Sequence, residues 1–267
     1  MKDDFLKKII RVRRERILES QQRKNMVEIK KSAYESMEIK IAAGDLRRFV
    51  PCQEGNVGII AEIKRASPSK GIIAENINVE KIAEKYIRGG AVGISVLTEP
   101  DFFLGADEFL SRVRKVSSVP VLRKDFVISE YQIYESLVLG ADMLLLIIRM
   151  LESSQLRDYV ALTRELRMEP LVEIFDEADM EKLFLSEAKL VGINNRDLKT
   201  FATDVKRASE LAGFLEKGQI PIIASAIHSR RDMEVYLERG INHFLVGECL
   251  MRSSEPERKL KELICGI

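Results

Sequence analysis

The chain predicts an α/β fold, a (β/α)8 TIM barrel with extra N-terminal helices, on three observations. Eight short apolar runs with the composition of buried strands recur after Pro51, separated by amphipathic helical segments. Several of those segments end at a glycine directly before the next run, as in "RGGAVGISVL", "LGADMLLLI" and "ERGINHFLVG", which is where a helix C-cap places one. The length of 267 residues is also that of a single barrel of this kind. An open, doubly wound sheet is the competing arrangement. It fits less well because no Gly-rich dinucleotide fingerprint follows any strand.

The runs predict strands at Val57–Ile63, Val92–Leu97, Val119–Leu122, Met143–Ile148, Pro170–Ile174, Leu190–Ile193, Ile220–Ala224 and His243–Val246. Helical spacing predicts helices at Val79–Arg88, Tyr131–Leu139, Ser153–Arg167, Glu177–Leu185, Asp204–Glu216 and Arg230–Arg239. The first 50 residues differ, being dense in charge. Phe5, Ile9, Val12 and Arg16/Ile17 form one helical stripe there, and Tyr34–Ala43 reads as a second helix ended by Gly44. The expected organisation is one domain over residues 1–267, with residues 1–50 as a helical extension.

Apolar residues make up 46% of the chain and charged residues 32%, with 43 Lys plus Arg against 42 Asp plus Glu. Such a balance argues against nucleic acid or an anionic membrane as the main partner, while leaving room for a small anion on a local basic cluster. Three widely spaced cysteines (Cys52, Cys249, Cys265) and two histidines (His228, His243) offer neither a disulfide framework nor zinc spacing. The first 20 residues lack the apolar core of a signal peptide, and the longest apolar run, Met143–Ile148, is too short to span a bilayer. The expectation is a cytoplasmic protein without a structural metal site.

Polar residues fall repeatedly at the ends of the predicted strands. The first strand ends in Glu62 and Lys64, two residues apart and therefore on one face. The third runs into Lys124, the fifth into Glu173, the sixth into Asn194, Asn195 and Arg196, the seventh into Ser225 and the eighth into Gly247. In a barrel all these ends meet at one mouth, where active sites of the fold lie. Each motif alone has a plainer reading: Glu62 with Lys64 as a structural ion pair, "RKDF" as a solvated strand end, "NNRDL" as a turn and helix cap. Their joint placement is what favours chemistry. The loops after strands seven and eight, "SAIHS" and "VGECL", stand where such barrels hold phosphate, and Gly247 would let backbone approach an anion.

The segments "AEIKRASPSKG", "SVLTEPDFFLG", "PVLRKDFVISEYQIYES", "EPLVEIFDE", "VGINNRDLKTF" and "FLVGECLM" together resemble the indole-3-glycerol phosphate synthase family, from about Val57 to Met251. The resemblance implies ring closure of 1-(2-carboxyphenylamino)-1-deoxyribulose 5-phosphate with loss of carbon dioxide and water, in tryptophan biosynthesis. It implies a small phosphorylated aromatic substrate and neither metal nor cofactor; with the charge balance, the expectation is no nucleic-acid or membrane partner, and a monomer or weak dimer. By matching motif it assigns Lys124 as general acid, Glu173 and Lys64 as later acid/base groups, Glu62 as catalytic or supporting, and Asn194 with Arg196 as holders of polar substrate groups. Ser225, Ala226, Gly247 and Glu248 take the phosphate positions, Phe103 and Phe126 wall the aromatic ring, and Ser67 joins the binding set. Which lysine performs which proton transfer stays open.

Three positions depart from that family's pattern. "SAI" stands where the family has Ser-Gly-Ile, Phe175 where a histidine is frequent, and Glu248 where a small hydroxyl residue can follow the glycine. The expectation for Ala226 is a negative φ with its methyl turned from the anion, and for Glu248 a carboxylate pointing away from phosphate.

Overall fold

The computed structural model describes residues 3–53, 55–195 and 205–266, with side chains from residue 6 onward and none at residue 205. Eight parallel strands close on themselves: β1 (Gly58–Ile63), β2 (Gly93–Leu97), β3 (Val121–Lys124), β4 (Met143–Ile147), β5 (Glu169–Ile174), β6 (Leu190–Asn194), β7 (Ile220–Ala224) and β8 (His243–Val246). Strand β1 pairs with β2 through Glu62 opposite Ser95 and with β8 through Ala61 opposite Val246, so the sheet has no free edge. Every residue of β1, β2, β4 and β6 is buried, as strands covered on both faces require.

Two helices precede the barrel, α1 (Asp3–Arg23) and α2 (Met26–Ala42), and the others lie around it: α3 (Val79–Arg88), α4 (Asp107–Val116), α5 (Glu130–Leu139), α6 (Ser153–Glu165), α7 (Met180–Leu185), α8 (Val205–Gly213), α9 (Arg230–Leu237), α10 (Glu248–Arg252) and α11 (Pro256–Cys265). The expected barrel strands are all present, within about two residues at their ends. The third is shifted forward, so that Lys124 is its last residue instead of lying beyond it. Helices α4 and α11 were not among the expected elements. Their charge-rich sequences mask the apolar stripe that buries Leu110 with Val113 and Leu260 with Leu263. The segment expected as one helix from Glu177 begins as a 3-10 turn capped by Asp176. Asp204 lies outside the described residues.

At the N-terminus the buried stripe of α1 runs through Ile9, Arg13 and Ile17, not through Val12 and Arg16. An arginine occupies it because Asp125, itself buried, accepts from its guanidinium at 3.3 Å. The side chain of Phe5 is outside the described ones. Helix α2 starts eight residues earlier than expected, at a capping box formed by Asn25 and Glu28. It packs on α5, where the Lys40 ammonium donates to the carbonyls of Gly140 and Ala141 at that helix's C-terminal end. At the N-terminal end of the strands, His243 accepts from the Cys52 N–H (3.0 Å) and packs edge-on against Phe49. Burial pushes its imidazole pKa down, so His243 is a neutral plug at the floor opposite the mouth.

Candidate active site

The C-terminal ends of the strands enclose a cavity of about 150 Å³. Strand alternation explains its lining. Glu62 and Lys64 from the β1 end share one face, Leu145 and Ile147 do so on β4, and Lys124 and Phe126 do so at the end of β3. Of the residues expected from the sequence, Glu62, Lys64, Ser67, Phe103, Lys124, Phe126, Glu173, Asn194, Ser225, Ala226, Gly247 and Glu248 all border this one cavity. Arg196 lies outside the described residues.

Two lysine–glutamate pairs face the space. Lys64 Nζ lies 2.6 Å from Glu62 Oε1, and Lys124 Nζ lies 4.0 Å from Glu173 Oε2. The second carboxylate also accepts the Asn194 amide N–H on Oε1 at 3.2 Å, which orients it with its other oxygen toward Lys124. Both glutamates are almost wholly buried, while the lysine side chains keep 17–18% of their surface exposed. In so apolar a setting a charged pair interacts far more strongly than in water. One face of the cavity is apolar, with Phe103 and Phe126 rings 6.1 Å apart and Leu97, Leu145 and Ile147 beside them. Helix α1 closes that side with Leu6 and Ile9.

The structure gives a further reason for a glycine at position 247. Its φ of −133° is open to any residue, but a Cβ there would stand 2.5 Å from Glu62 Oε1. The missing side chain makes room for the Glu62 carboxylate. Gly247 also precedes α10 without capping it by a side chain. Glu248 borders the cavity, and its carboxylate sits 3.2 Å from Arg252 Nε and 3.9 Å from Lys70 Nζ. Burial raises its pKa, but the Arg252 hydrogen bond and the charges of Lys70, His228 and Arg252 outweigh that and hold it below the usual carboxylate value.

The expectation for Ala226 is overturned. Ser225 and Ala226 have φ of +73° and +60°, successive left-handed residues where glycine is at ease and a Cβ is strained. Asn195 helps hold this turn: it is fully buried, its amide donates to the Ser225 carbonyl (3.1 Å), and its oxygen accepts from the Tyr236 hydroxyl (3.0 Å). Phe175 is buried and does not border the cavity; its ring lies 4.9 Å under the guanidinium of Arg149.

Sequence reasoning missed Leu6, Ile9, Glu99 and Asp125 at the cavity. Leu6 and Ile9 are three apart on a helix, a readable spacing, but nothing local says the helix bends over the mouth. Glu99 and Asp125 are acids beside expected site residues, and their burial is tertiary information. Among the described residues no group of three or more His, Cys, Asp and Glu side chains converges as a metal cage would, and no helix is long and apolar enough to cross a membrane.

Comparison with known proteins places these features. The family model described as indole-3-glycerol phosphate synthase matches residues 6–263. Curated proteins named indole-3-glycerol phosphate synthase are similar along the whole length. The one from Carboxydothermus hydrogenoformans is 43% identical over 97% of this chain and 99% of its own. The one from Desulfosudis oleivorans is 44% identical over 98% of each. Among solved structures, thiamine phosphate pyrophosphorylase from Pyrococcus furiosus superposes with a TM-score of 0.58 at 11% identity, covering 78% of this chain and 93% of that one. The N-acetylmannosamine-6-phosphate 2-epimerase from Clostridium perfringens gives 0.56 at 13% identity, covering 79% and 94%. At such identities these structures share the fold alone.

Proposed function

The chain belongs to the indole-3-glycerol phosphate synthase family, and on that premise we propose how the residues of the mouth divide the work. The reaction is that of a carboxy-lyase of tryptophan biosynthesis: 1-(2-carboxyphenylamino)-1-deoxyribulose 5-phosphate closes to indole-3-glycerol phosphate with loss of carbon dioxide and water. The aromatic carbon bearing the carboxylate must bond to the ketone carbon, whose oxygen gains a proton. Departure of carbon dioxide then returns its bonding electrons to the ring. Finally the new hydroxyl leaves as water while the carbon beside nitrogen gives up a proton, forming the indole double bond.

Lys124 is the proton donor to the ketone oxygen. Its ammonium stands 4.0 Å from Glu173, too far for a direct hydrogen bond, so it can donate to a substrate oxygen placed beside the pair. Glu173, oriented by Asn194, and Lys64, paired with Glu62, carry the later transfers, one proton to the departing hydroxyl and one taken from carbon. Phe103 and Phe126, with Leu6 and Ile9 of α1, hold the ring against an apolar wall where carboxylate loss leaves no stranded charge. Arg196 and Asn194 hold polar substrate groups. The phosphate lies over the Ser225–Ala226 turn and the N–H groups that open α10, with Ser67 at its edge and Glu248 drawn aside by Arg252 and Lys70. The same reading takes the chain as one barrel domain whose residues 1–50 serve the mouth, acting in the cytoplasm as a monomer or weak dimer without metal or cofactor.

The observation that carries this reading is the pair of Lys–Glu couples facing one apolar-walled cavity. Purified protein given the substrate should produce indole fluorescence and one carbon dioxide per turnover. Carbon dioxide release without indole, or neither product, contradicts it.

A further inference from the structure

Between β2 and α4 the chain turns back on itself around Glu99, a residue to which the roles above give no part. Glu99 is fully buried and borders the cavity. Its carboxylate accepts three successive backbone N–H groups, Asp101 on Oε1 at 2.9 Å and Phe102 and Phe103 on Oε2 at 2.7 and 3.0 Å. Burial pushes its pKa up, and those three bonds oppose the shift. The loop then closes through the Gly105 N–H, which donates to the Glu99 carbonyl at 2.8 Å. A Cβ at Gly105 would run into the Leu97 carbonyl and Thr98, so the turn has no slack.

Three parts of the mouth meet on this loop. Phe103 sends its ring toward Phe126, and its carbonyl accepts the Ala66 N–H (3.2 Å) from the short hairpin Ala66–Ser67/Gly71–Ile72 that follows β1. Asp101 binds Arg16 of α1 at 2.8 Å, and the Phe102 ring lies 5.7 Å below Lys8 Nζ of the same helix. A carboxylate that fixes residues 101–103 therefore sets the aromatic wall, one anchor of the β1 hairpin and the landing place of α1 together.

We propose that Glu99 is a positioning residue for substrate binding, a template that holds Phe103 against the substrate ring and acts on affinity without entering the proton transfers. The inference rests on the reading that Phe103 walls the ring. The test measures KM, kcat and Tm for Glu99→Gln, Phe103→Leu and the double variant. An amide keeps one acceptor oxygen but turns an N–H donor toward the loop's own N–H groups. Glu99→Gln should raise KM about tenfold and leave kcat within threefold, since Lys124 and Glu173 are untouched. If Glu99 acts through Phe103, the double variant's KM should exceed the larger single effect by no more than about twofold.

Effects on KM that multiply, or a Glu99→Gln enzyme with unchanged KM or with kcat alone reduced, overturn the proposal. If Phe103→Leu leaves KM unchanged, the wall reading fails and this inference with it. If Phe103→Leu raises KM and Glu99→Gln does not, this inference fails alone. Hydrogen exchange on the unaltered protein supplies a check that needs no folded variant. The amides of Asp101, Phe102 and Phe103 should be protected, and exchange at the rate of an open loop contradicts the template.

Discussion

Replacing Arg13 by methionine removes one partner of a buried ion pair that ties α1 to the strand carrying Lys124. The Arg13 and Asp125 side chains are 6% and 1% exposed, and the guanidinium stands 3.3 Å from Asp125 Oδ2. Asp125 would keep the Thr98 hydroxyl (2.6 Å), the Phe126 N–H (2.7 Å) and a longer contact to Arg123 (3.5 Å). Arg123 is already shared with Glu135 and Asp107. Breaking a buried pair by removing one member typically costs about 3–5 kcal/mol. The bonds left to Asp125 and the apolar volume of methionine bring the expectation to about 2–3 kcal/mol. At ~2–4 °C per kcal/mol for a chain of this size, Tm should fall by roughly 5–10 °C. KM should rise too, because Leu6 and Ile9 of the same helix wall the cavity.

The pH dependence gives a second handle on the same pair. Burial alone would raise the Asp125 pKa, but the charges of Arg13 and Arg123 and the bonds from Thr98 and Phe126 hold it below the usual aspartate value. A carboxyl depressed on folding stabilises the native state above its unfolded pKa of about 3.9 and loses that contribution as pH falls through the lower folded value. Thermal scans of both proteins, from neutral pH downward, should therefore show the Tm gap at its widest near neutrality and narrowing in acid. A variant melting within 1 °C of the original at pH 7, with unchanged KM, would refute the claim that this pair holds the helix down.

Further outcomes follow from particular atoms. Ala226→Gly relieves a left-handed alanine worth roughly 1–2 kcal/mol, offset by the greater freedom of glycine in the unfolded chain, so Tm should hold or rise by a few degrees and KM stay within a few-fold; a clear drop in Tm would place the residue elsewhere. Gly247→Ala puts a methyl 2.5 Å from Glu62 Oε1, and kcat should fall at least tenfold while inhibition by inorganic phosphate changes less; loss of phosphate inhibition alone would return Gly247 to the phosphate. Turnover should survive exhaustive dialysis against a chelator, and loss restored only by a divalent ion would overturn the proposed mechanism.

The strands and the mouth were readable because continuous apolar runs and polar strand ends are local signals. Glu62 with Lys64, Lys124, Glu173 and Asn194 announced themselves at the ends of apolar runs. Helices α4 and α11 were not read, since "DEFLSRVRKV" and "PERKLKELIC" spend half their positions on charge, and burial of so narrow a stripe depends on neighbours. Ala226 misled for a related reason. The residue type argued for a negative φ, while the turn's path is set by Asn195, thirty residues before Ser225 in the chain. Arg13 and Glu99 look like surface charges until the partners that bury them, Asp125 and the loop's own N–H groups, are brought alongside.

The claim that most of this account stands on is that Lys124 delivers the proton that lets the ring close. Single-turnover indole formation by Lys124→Met, at saturating substrate and with Tm recorded alongside, tests it most directly. Removing a general acid costs typically ~10²–10⁴-fold, so the rate should fall by that range with little change in Tm or in substrate affinity. A folded Lys124→Met enzyme closing the ring at a rate near that of the unaltered protein would contradict the account.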